Sequence, residues 1–278
     1  MKILRTPEEL TPFHRGALVP TMGGLHKGHL TLARAASETG LPVVVSVFVN
    51  PKQFEEAADF DRYPRDVESD AAMLEPMGVS VVFAPSVDTV YPPGAPPSPV
   101  VVPPVADGPG LEDAYRPGHL AGVCQVLWRL FELARPAVAV FGEKDWQQLQ
   151  LARAVAAQIA DATNEPLDIL PAPTVREPDG LAMSSRNRFL PPHDRAAAAA
   201  ISQALTLAEG IDDASQAEDA MRAHMEGQGL NVEYAVVRDA ESLLTPAAGR
   251  PARALIAARL GEVRLIDNAD WPPAMLGV

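Results

Sequence analysis

The chain has 278 residues, 47% of them hydrophobic, so it can bury one large core or one core plus a smaller domain. Its formal net charge of −13 argues against a broad binding surface for nucleic acid or for an anionic membrane, because clustered Lys and Arg bind those partners. The single Cys124 cannot form an internal disulfide, and no apolar run approaches the ~20 residues that cross a bilayer. We therefore expect a soluble cytoplasmic protein with two unequal domains.

Strand-like and helical segments alternate through roughly the first 170 residues. The β-branched run Val43–Val49 is typical of a strand buried on both faces, and seven prolines between Tyr91 and Pro104 predict an irregular excursion. The expected strands are 17–19, 43–49, 79–83, 137–141 and 167–170, and the expected helices are 30–36, 66–77, 123–133 and 146–160. This alternation predicts an α/β fold with a doubly wound parallel sheet, whose ligands bind at the carboxyl ends of the strands.

The pattern changes beyond about residue 175. We expect helices at 194–209 and 217–226, followed by strands at 232–237, 254–258 and 262–266. The short turn at Leu260 and Gly261 favours antiparallel pairing of the last two strands. The sequence therefore predicts a larger α/β domain over residues 1–174 and a smaller α+β domain over residues 175–278.

The segment Pro20 to His29 follows the first expected strand, interleaves two histidines with three glycines and opens a helix. Such a turn directs backbone N–H groups and the positive end of the helix dipole at an anion, which glycine allows to approach closely. His26 and His29 add side-chain donors for phosphate oxygens. A lone histidine is more often an ordinary surface or core residue, but H-x-G-H after a strand is a stronger signal. It predicts a phosphate-handling turn rather than a zinc site, because the chain has one cysteine and lacks H-E-x-x-H.

Polar groups also follow two other expected strands. Asn50 and Gln53 come directly after 43–49, and their amides can hold a carboxylate or a hydroxyl, although turn chemistry alone accounts for Asn50. Lys144 follows the strand at 137–141 and suits developing phosphate charge, while Asp145 suits a helix N-terminus or a ribose hydroxyl. A charged loop taken alone is usually just solvated.

Two further segments have structural and functional interpretations. Val175 to Asn187 combines glycine, two hydroxyls and an arginine at the expected domain junction, so it is either an interdomain linker or a loop that closes over a triphosphate. Arg116 to Val123 places a Pro-Gly turn before an apolar helix, which is mostly structural and gives His119 only a modest chance of contacting a ligand. Cys124 is interpreted as a small apolar residue on a helix face, because no base can be assigned to it.

Five motifs together carry a resemblance that covers nearly the whole chain. They are P-T-M-G-G-L-H-K-G-H, V-F-V-N-P-K-Q-F, R-P-G-H-L-A-G-V, F-G-E-K-D-W-Q-Q-L and T-V-R-E-P-D-G-L-A-M-S-S-R-N. In this order and at these spacings, the chain resembles the pantothenate synthetase family of the nucleotidyltransferase superfamily with the H-I-G-H signature. The resemblance implies a Rossmann-like fold and a ligase that joins pantoate to β-alanine through a pantoyl adenylate. ATP is the co-substrate, AMP and pyrophosphate are released, and Mg²⁺ and a homodimer are expected.

The resemblance also implies roles for individual residues. His29 is the catalytic histidine, His26 is its partner on the phosphates, and Lys144 and Arg186 are further catalytic groups that stabilise negative charge. The loop that carries Arg186 is expected to cover the site. The residues implied for ATP are Met22, Gly23, Gly24, Leu25, His26, Lys27, Gly28, His29, Gly142, Glu143, Lys144, Asp145, Val175, Met183, Ser184, Ser185 and Arg186.

The acid and the metal have separate expected sites. Gln53 and Gln148 hold pantoate by resemblance, Gln53 also faces the incoming β-alanine, and Asn50 is a further candidate for substrate binding. Asp70 aligns with part of an acidic cluster that is assigned to magnesium in some relatives, but its neighbour here is Ser69. The protein ligands of the metal therefore stay open, since phosphates and water can hold most of the magnesium coordination.

The chain departs from the usual family pattern at three positions. Lys27 stands where an acidic residue is common, Leu120 replaces an aromatic residue, and Trp146 replaces a tyrosine. None of these changes removes a catalytic group, although Lys27 alters the charge near the phosphates.

Three other functions compete with the ligase. A simple nucleotidyltransferase shares the H-x-G-H turn, but has no need for two glutamines that grip a carboxylic acid. A fragment of an aminoacyl-tRNA synthetase is disfavoured by the acidic charge and by the lack of room for an anticodon domain. A non-catalytic nucleotide sensor ranks last, because every charged site group is retained.

The helix at 122–133 could supply a dimer interface, but an apolar helix face is more often core.

Overall fold

A computed structural model describes residues 1–54, 60, 63 and 65–272 of the chain. It divides into two compact units, of which the first contains residues 1–142 and 147–173 and the second contains residues 143–146 and 174–278. The short segment Glu143–Trp146 therefore groups with the C-terminal part of the chain, whereas the sequence-based division placed it in the first domain.

The first unit contains a six-stranded, entirely parallel sheet with the strand order β1-β4-β3-β2-β5-β6. Its strands are β1 (Lys2–Leu4), β2 (Ala17–Thr21), β3 (Val43–Val47), β4 (Val81–Phe83), β5 (Val138–Gly142) and β6 (Asp168–Ala172). All five residues of β3 are buried, as its β-branched run predicts. The expected α/β Rossmann-like fold is confirmed, and β1 is an additional edge strand that the sequence did not indicate.

Helices connect these strands, as the alternating pattern predicts. They are α1 (Lys27–Ser37), α2 (Val67–Leu74), α3 (Val87–Val90), α4 (Glu112–Tyr115), α5 (His119–Ala134) and α6 (Trp146–Thr163). Short 3-10 turns occupy Glu8–Phe13, Pro51–Gln53, Glu75–Met77, Pro104–Ala106 and Glu143–Asp145. Between α3 and the turn at Pro104 the backbone is irregular, because its prolines remove donors and fix φ.

The strand order places the H-x-G-H turn beside the point where the order of the strands reverses. From β2 the chain proceeds through β3 to β4 on one side, whereas β5 and β6 lie on the other side. The order therefore reverses between β2 and β5, and doubly wound sheets bind ligands at the carboxyl ends of the strands beside such a point. The H-x-G-H turn follows β2, and the Glu143–Asp145 turn follows β5.

Helix α5 belongs to the core of the first unit. Val123, Leu127, Leu130 and Phe131 are all buried within the single chain, so the apolar face of this helix needs no partner subunit to cover it. Cys124 lies on the same helix and is fully buried, and its burial raises the pKa of the thiol to about 12. This agrees with the interpretation of Cys124 as a small apolar residue.

The second unit packs helices against a three-stranded antiparallel sheet with the order β7-β8-β9. Its strands are β7 (Asn231–Asp239), β8 (Ala252–Leu260) and β9 (Val263–Trp271), and its helices are α7 (Pro192–Ala197), α8 (Ala200–Ala208) and α9 (Ala214–Gly227). The antiparallel pairing of β8 with β9 is as expected. The single helix expected at 194–209 is instead divided, because hydrogen bonds from Ala199 to Ala196 and from Ile201 to Ala198 tighten the chain between α7 and α8. Among the described residues, no helix combines the length and apolarity that spanning a membrane requires.

Candidate active site

The two histidines of the H-x-G-H turn cap helix α1 reciprocally. His26 is the N-cap residue, and its Nδ1 accepts a hydrogen bond from the Gly28 amide at 3.1 Å. The His26 amide in turn donates to Nδ1 of His29 at 3.2 Å. Since Nδ1 is the acceptor in both rings, each neutral imidazole carries its proton on Nε2. Helix capping therefore selects the tautomer that can donate from Nε2 to a phosphate oxygen.

A buried carboxylate supports the glycine turn that precedes these histidines. Gly23 and Gly24 have φ angles of 83° and 62°, in the left-handed region that glycine adopts without strain. The Gly24 amide donates to one oxygen of Asp70 at 3.1 Å, and the Leu25 amide donates to the other oxygen at 2.9 Å. Asp70 is 4% exposed and lies on helix α2. Asp70 thus fixes the path of the turn, although it lies 46 residues from Gly24 and 45 residues from Leu25 in the sequence.

These contacts bear on the expected magnesium site. Both oxygens of Asp70 accept backbone hydrogen bonds, so its carboxylate is already engaged with the protein. In the described part of the chain, His, Cys, Asp and Glu side chains form no group of three or more that could hold a metal ion. The described residues therefore do not form a protein-built metal site, and a magnesium ion that enters with ATP would rely on phosphate oxygens and water.

Asn50 and Gln53 lie on the turn after β3 and form one amide network. Asn50 is 1% exposed, its Oδ1 accepts the Lys52 amide at 3.2 Å, and its Nδ2 donates to the Gly122 carbonyl at 3.1 Å. These two backbone partners fix the orientation of the Asn50 amide, and the Tyr91 hydroxyl reinforces it by donating to Oδ1 at 2.9 Å. The Nδ2 group also donates to Oε1 of Gln53 at 3.0 Å.

The orientation of Asn50 determines which end of Gln53 can meet a ligand. Because Oε1 of Gln53 accepts from Asn50, its Nε2 points the other way and donates to the sulfur of Met22 at 2.9 Å. A thioether is a weak acceptor, so a substrate carboxylate can replace it. Gln53 therefore presents a donor, whereas the buried Asn50 orients Gln53.

His119 supports the same turn from helix α5. It is 8% exposed, Arg116 donates to its Nε2 at 2.9 Å, and its Nδ1 lies 2.8 Å from the Gln53 carbonyl oxygen. Since a guanidinium can only donate, Nε2 is the acceptor and Nδ1 donates to Gln53. His119 thus contacts the backbone of a predicted pantoate residue, and its contact with a ligand stays a modest expectation.

Gln148, which is predicted to hold pantoate, lies on helix α6 in the first unit. Gln148 is half-buried in the first turn of this helix. The preceding residue, Gln147, is 5% exposed and holds the loop before α4, because it accepts the Glu112 amide at 2.9 Å and donates to the Val105 carbonyl at 2.8 Å. The side-chain amide of Gln147 is therefore engaged in hydrogen bonds to the protein backbone.

The second unit carries the predicted lysine and the serine-rich loop. Lys144 lies in the 3-10 turn Glu143–Asp145, and its Nζ is 3.5 Å from a carboxylate oxygen of Asp145. Val175 pairs with Met183, whose amide donates to the Val175 carbonyl at 2.8 Å. Ser184 caps the turn that follows, because its hydroxyl accepts the Arg186 amide at 3.2 Å. The predicted loop is thus an ordered hairpin followed by a capped 3-10 turn.

Several residues that shape these turns escaped sequence reasoning. The support of Gly24 and Leu25 by Asp70, and that of Asn50 by Tyr91, link positions 41 to 46 residues apart. Tyr91 begins the proline-rich segment and matches no motif. Such partners follow from strand order, which local patterns do not reveal.

Comparisons with known proteins identify the family. A family model described as pantoate-beta-alanine ligase matches residues 2–270. The pantothenate synthetase of Rubrobacter xylanophilus is 47% identical over 290 residues, covering 97% of this chain and 98% of the relative. The pantothenate synthetase of Mycolicibacterium smegmatis is 48% identical over 262 residues, covering 93% of this chain and 81% of the relative.

Solved structures agree with this assignment. A pantothenate synthetase crystal structure from Thermus thermophilus has a TM-score of 0.87 and 40% identity, covering 98% of this chain and 100% of that one. A pantoate-beta-alanine ligase from Francisella tularensis, complexed with beta-gamma ATP and beta-alanine, has a TM-score of 0.76 and 28% identity, covering 97% of each chain. The chain therefore belongs to the pantoate-beta-alanine ligase family.

Proposed function

We propose that this protein condenses (R)-pantoate with β-alanine to form pantothenate, using ATP and passing through a pantoyl adenylate. The observation that carries the proposal is the reciprocal cap of His26 and His29 on the turn after β2, beside the point where strand order reverses. This arrangement combines two Nε2 donors with a helix N-terminus, which suits a polyphosphate. The family of the chain and the ATP-complexed relative support the same reaction.

In the first half-reaction, a pantoate carboxylate oxygen attacks the α-phosphorus of ATP. The new phosphorus–oxygen bond forms as the bond to pyrophosphate breaks, so negative charge grows on the phosphoryl oxygens and on the leaving group. We assign His26, His29, Lys144 and Arg186 to the stabilisation of that charge. The Nε2 donor of Gln53 would orient the attacking carboxylate.

In the second half-reaction, the β-alanine amine attacks the activated carbonyl carbon. The carbon–nitrogen bond forms, the bond to AMP breaks, and the ammonium proton passes to solvent or to a departing phosphate oxygen. This step needs positioning and exclusion of water but no side-chain nucleophile. The buried Cys124, whose thiol has a raised pKa, is consistent with that requirement.

Magnesium, a homodimer and a cytoplasmic location belong to the same proposal. Magnesium would neutralise phosphate charge when it is bound with ATP. Light scattering of the purified protein tests the dimer, because a homodimer has twice the 29.6 kDa mass of the chain.

The direct test measures pyrophosphate and AMP separately in the presence of ATP, magnesium and pantoate, with and without β-alanine. We expect pyrophosphate with pantoate alone and sustained AMP release only after β-alanine is added. An equal response to other carboxylic acids or to phosphate esters would contradict the proposed acceptor and favour a simple nucleotidyltransferase.

A variant of His29 can test its Nε2 donor separately from the hydrogen bond that its Nδ1 accepts from the His26 amide. An asparagine side chain can replace Nδ1 as the acceptor of the His26 amide, but it has no counterpart of the Nε2 donor. We expect His29→Asn to keep the melting temperature and to lower pyrophosphate formation at least about a hundredfold. The control is His193→Ala, because the side chain of His193 is 79% exposed on α7. Near-normal turnover of His29→Asn would remove His29 from the mechanism.

A further inference from the structure

A side-chain amide on the last strand holds the turn that carries Lys144. Nδ2 of Asn268 donates to the Glu143 carbonyl at 2.9 Å and to the Lys144 carbonyl at 2.8 Å. All of these residues belong to the second unit, although Asn268 and Lys144 are 124 positions apart. Two successive carbonyls therefore share one buried amide, and Asn268 is only 3% exposed.

Arg253 on strand β8 sets the orientation of that amide. Its Nε donates to Oδ1 of Asn268 at 2.5 Å, so the Nδ2 group must face the two carbonyls of the turn. The same guanidinium lies 3.5 Å from the ring centroid of Trp146 and 3.5 Å from a carboxylate oxygen of Glu143. Arg253 thus contacts Glu143, directly before Lys144, and Trp146, two positions after it.

Trp146 closes the turn on its C-terminal side. Its Nε1 donates to the Ala240 carbonyl at 2.8 Å, and its ring is covered by the Arg253 guanidinium. A hydrogen bond at the ring edge and a cation over its face determine the position of the indole. The substitution of tryptophan for the more common tyrosine is therefore accommodated by contacts within the second unit.

An ion pair between Arg176 and Asp267, the residue before Asn268, supports this arrangement. Asp267 accepts the Asn268 amide at 2.8 Å and binds the Arg176 guanidinium at 2.6 and 3.1 Å. Burial raises the pKa of the Asp267 carboxyl, and the Arg176 guanidinium opposes that shift. Arg176 directly follows Val175, so the pair joins another predicted ATP segment to the middle of strand β9, next to Asn268.

We propose that Asn268 and Arg253 are positioning residues that fix the Lys144 turn for ATP. The inference rests on the proposed function, because it takes Lys144 as a phosphate-binding group. Asn268 fixes the backbone on which Lys144 stands, and Arg253 fixes Asn268 and flanks the turn through Glu143 and Trp146. Neither residue needs to contact the nucleotide.

The first test is Asn268→Asp, which keeps the side-chain volume and an oxygen for Arg253 but replaces the donor with a second oxygen. That oxygen would face the Glu143 and Lys144 carbonyls and repel them. We expect KM for ATP to rise on the order of tenfold while KM for pantoate changes less than about twofold. Asn231→Asp is the matched control, because Asn231 is exposed at the start of β7.

A double-mutant cycle separates positioning from a general structural effect. If Asn268 acts through Lys144, Asn268→Asp should add little to the loss that Lys144→Ala already causes. Additive losses, or an unchanged KM for ATP in the single variant, would overturn the proposal. A lower active fraction through unfolding would reduce kcat without changing either KM, which also counts against positioning.

Hydrogen exchange distinguishes failure of this inference from failure of the proposed function. We expect the amides of Glu143–Trp146 to exchange faster in Asn268→Asp than in the parent protein, with Asn231→Asp unchanged. If Lys144→Ala has full activity, the proposed role of Lys144 is wrong, and so is the proposed reason why Asn268 and Arg253 fix its turn. Unchanged exchange at the turn would show that Asn268 does not hold it, whatever Lys144 does.

Discussion

Replacing Gly122 with alanine should weaken pantoate binding, because this glycine of helix α5 packs against the turn that carries Gln53. Gly122 lies in the interior of α5, where a Cβ would lie 2.1 Å from the Lys52 carbonyl oxygen and 3.0 Å from the Gln53 amide nitrogen. The Gly122 carbonyl also accepts from Asn50. The added methyl group therefore presses directly on the turn that orients Gln53.

The size of the effect follows from these contacts. The gap between α5 and the Lys52 carbonyl must open by roughly 1 Å before the contact becomes tolerable. Overpacking costs about 1–3 kcal/mol, and the better helix propensity of alanine returns about 1 kcal/mol. The free energy of unfolding should fall by about 0–2 kcal/mol, whereas a shift of about 1 Å at Gln53 can reduce kcat/KM for pantoate about a hundredfold.

The assay compares pantoate-dependent pyrophosphate release with thermal unfolding in Gly122→Ala and in Gly227→Ala. Gly227 ends α9, and a Cβ there meets no atom within 4 Å, so this control should keep its activity and its melting temperature or raise the latter slightly. A Gly122→Ala protein with unchanged KM and kcat for pantoate would refute the close packing of α5 on the Gln53 turn.

Two further predictions address the roles of Asp70 and Gln53. Asp70→Asn places an NH₂ group against the Gly24 or Leu25 amide, so at saturating magnesium KM for ATP should rise about tenfold. The magnesium concentration for half-maximal rate should stay constant, and a shift in that value with unchanged KM for ATP would instead make Asp70 a metal ligand. Gln53→Ala should raise KM for pantoate about tenfold with little change for ATP, and Gln53→Glu should raise it further, because an oxygen then faces the pantoate carboxylate. If Gln53→Glu binds pantoate better than Gln53→Ala does, Gln53 accepts from a substrate hydroxyl and the donor assignment is wrong.

The sequence by itself determined the local elements and the motif turns. Periodicity placed β3 and the helix at 123–133 within a few residues of their observed bounds, because each signal depends on neighbours in the chain. The H-x-G-H turn and the alternation of strands and helices were likewise sufficient to predict the parallel sheet. The unbroken helix at 194–209 was wrong, since an alanine-rich run carries no local signal for the interruption between α7 and α8.

Only the tertiary structure decided which groups hold those turns in place. The hydrogen bonds join residues that are far apart in the sequence: Asp70 and Gly24 are 46 positions apart, Asn50 and Gly122 are 72 apart, and Asn268 and Lys144 are 124 apart. These contacts depend on strand order and register, which pairwise long-range packing sets and local patterns do not encode. The sequence therefore specified the candidate groups for substrate binding, while the fold specified the backbone partners, tautomers and amide orientations that make those groups donors.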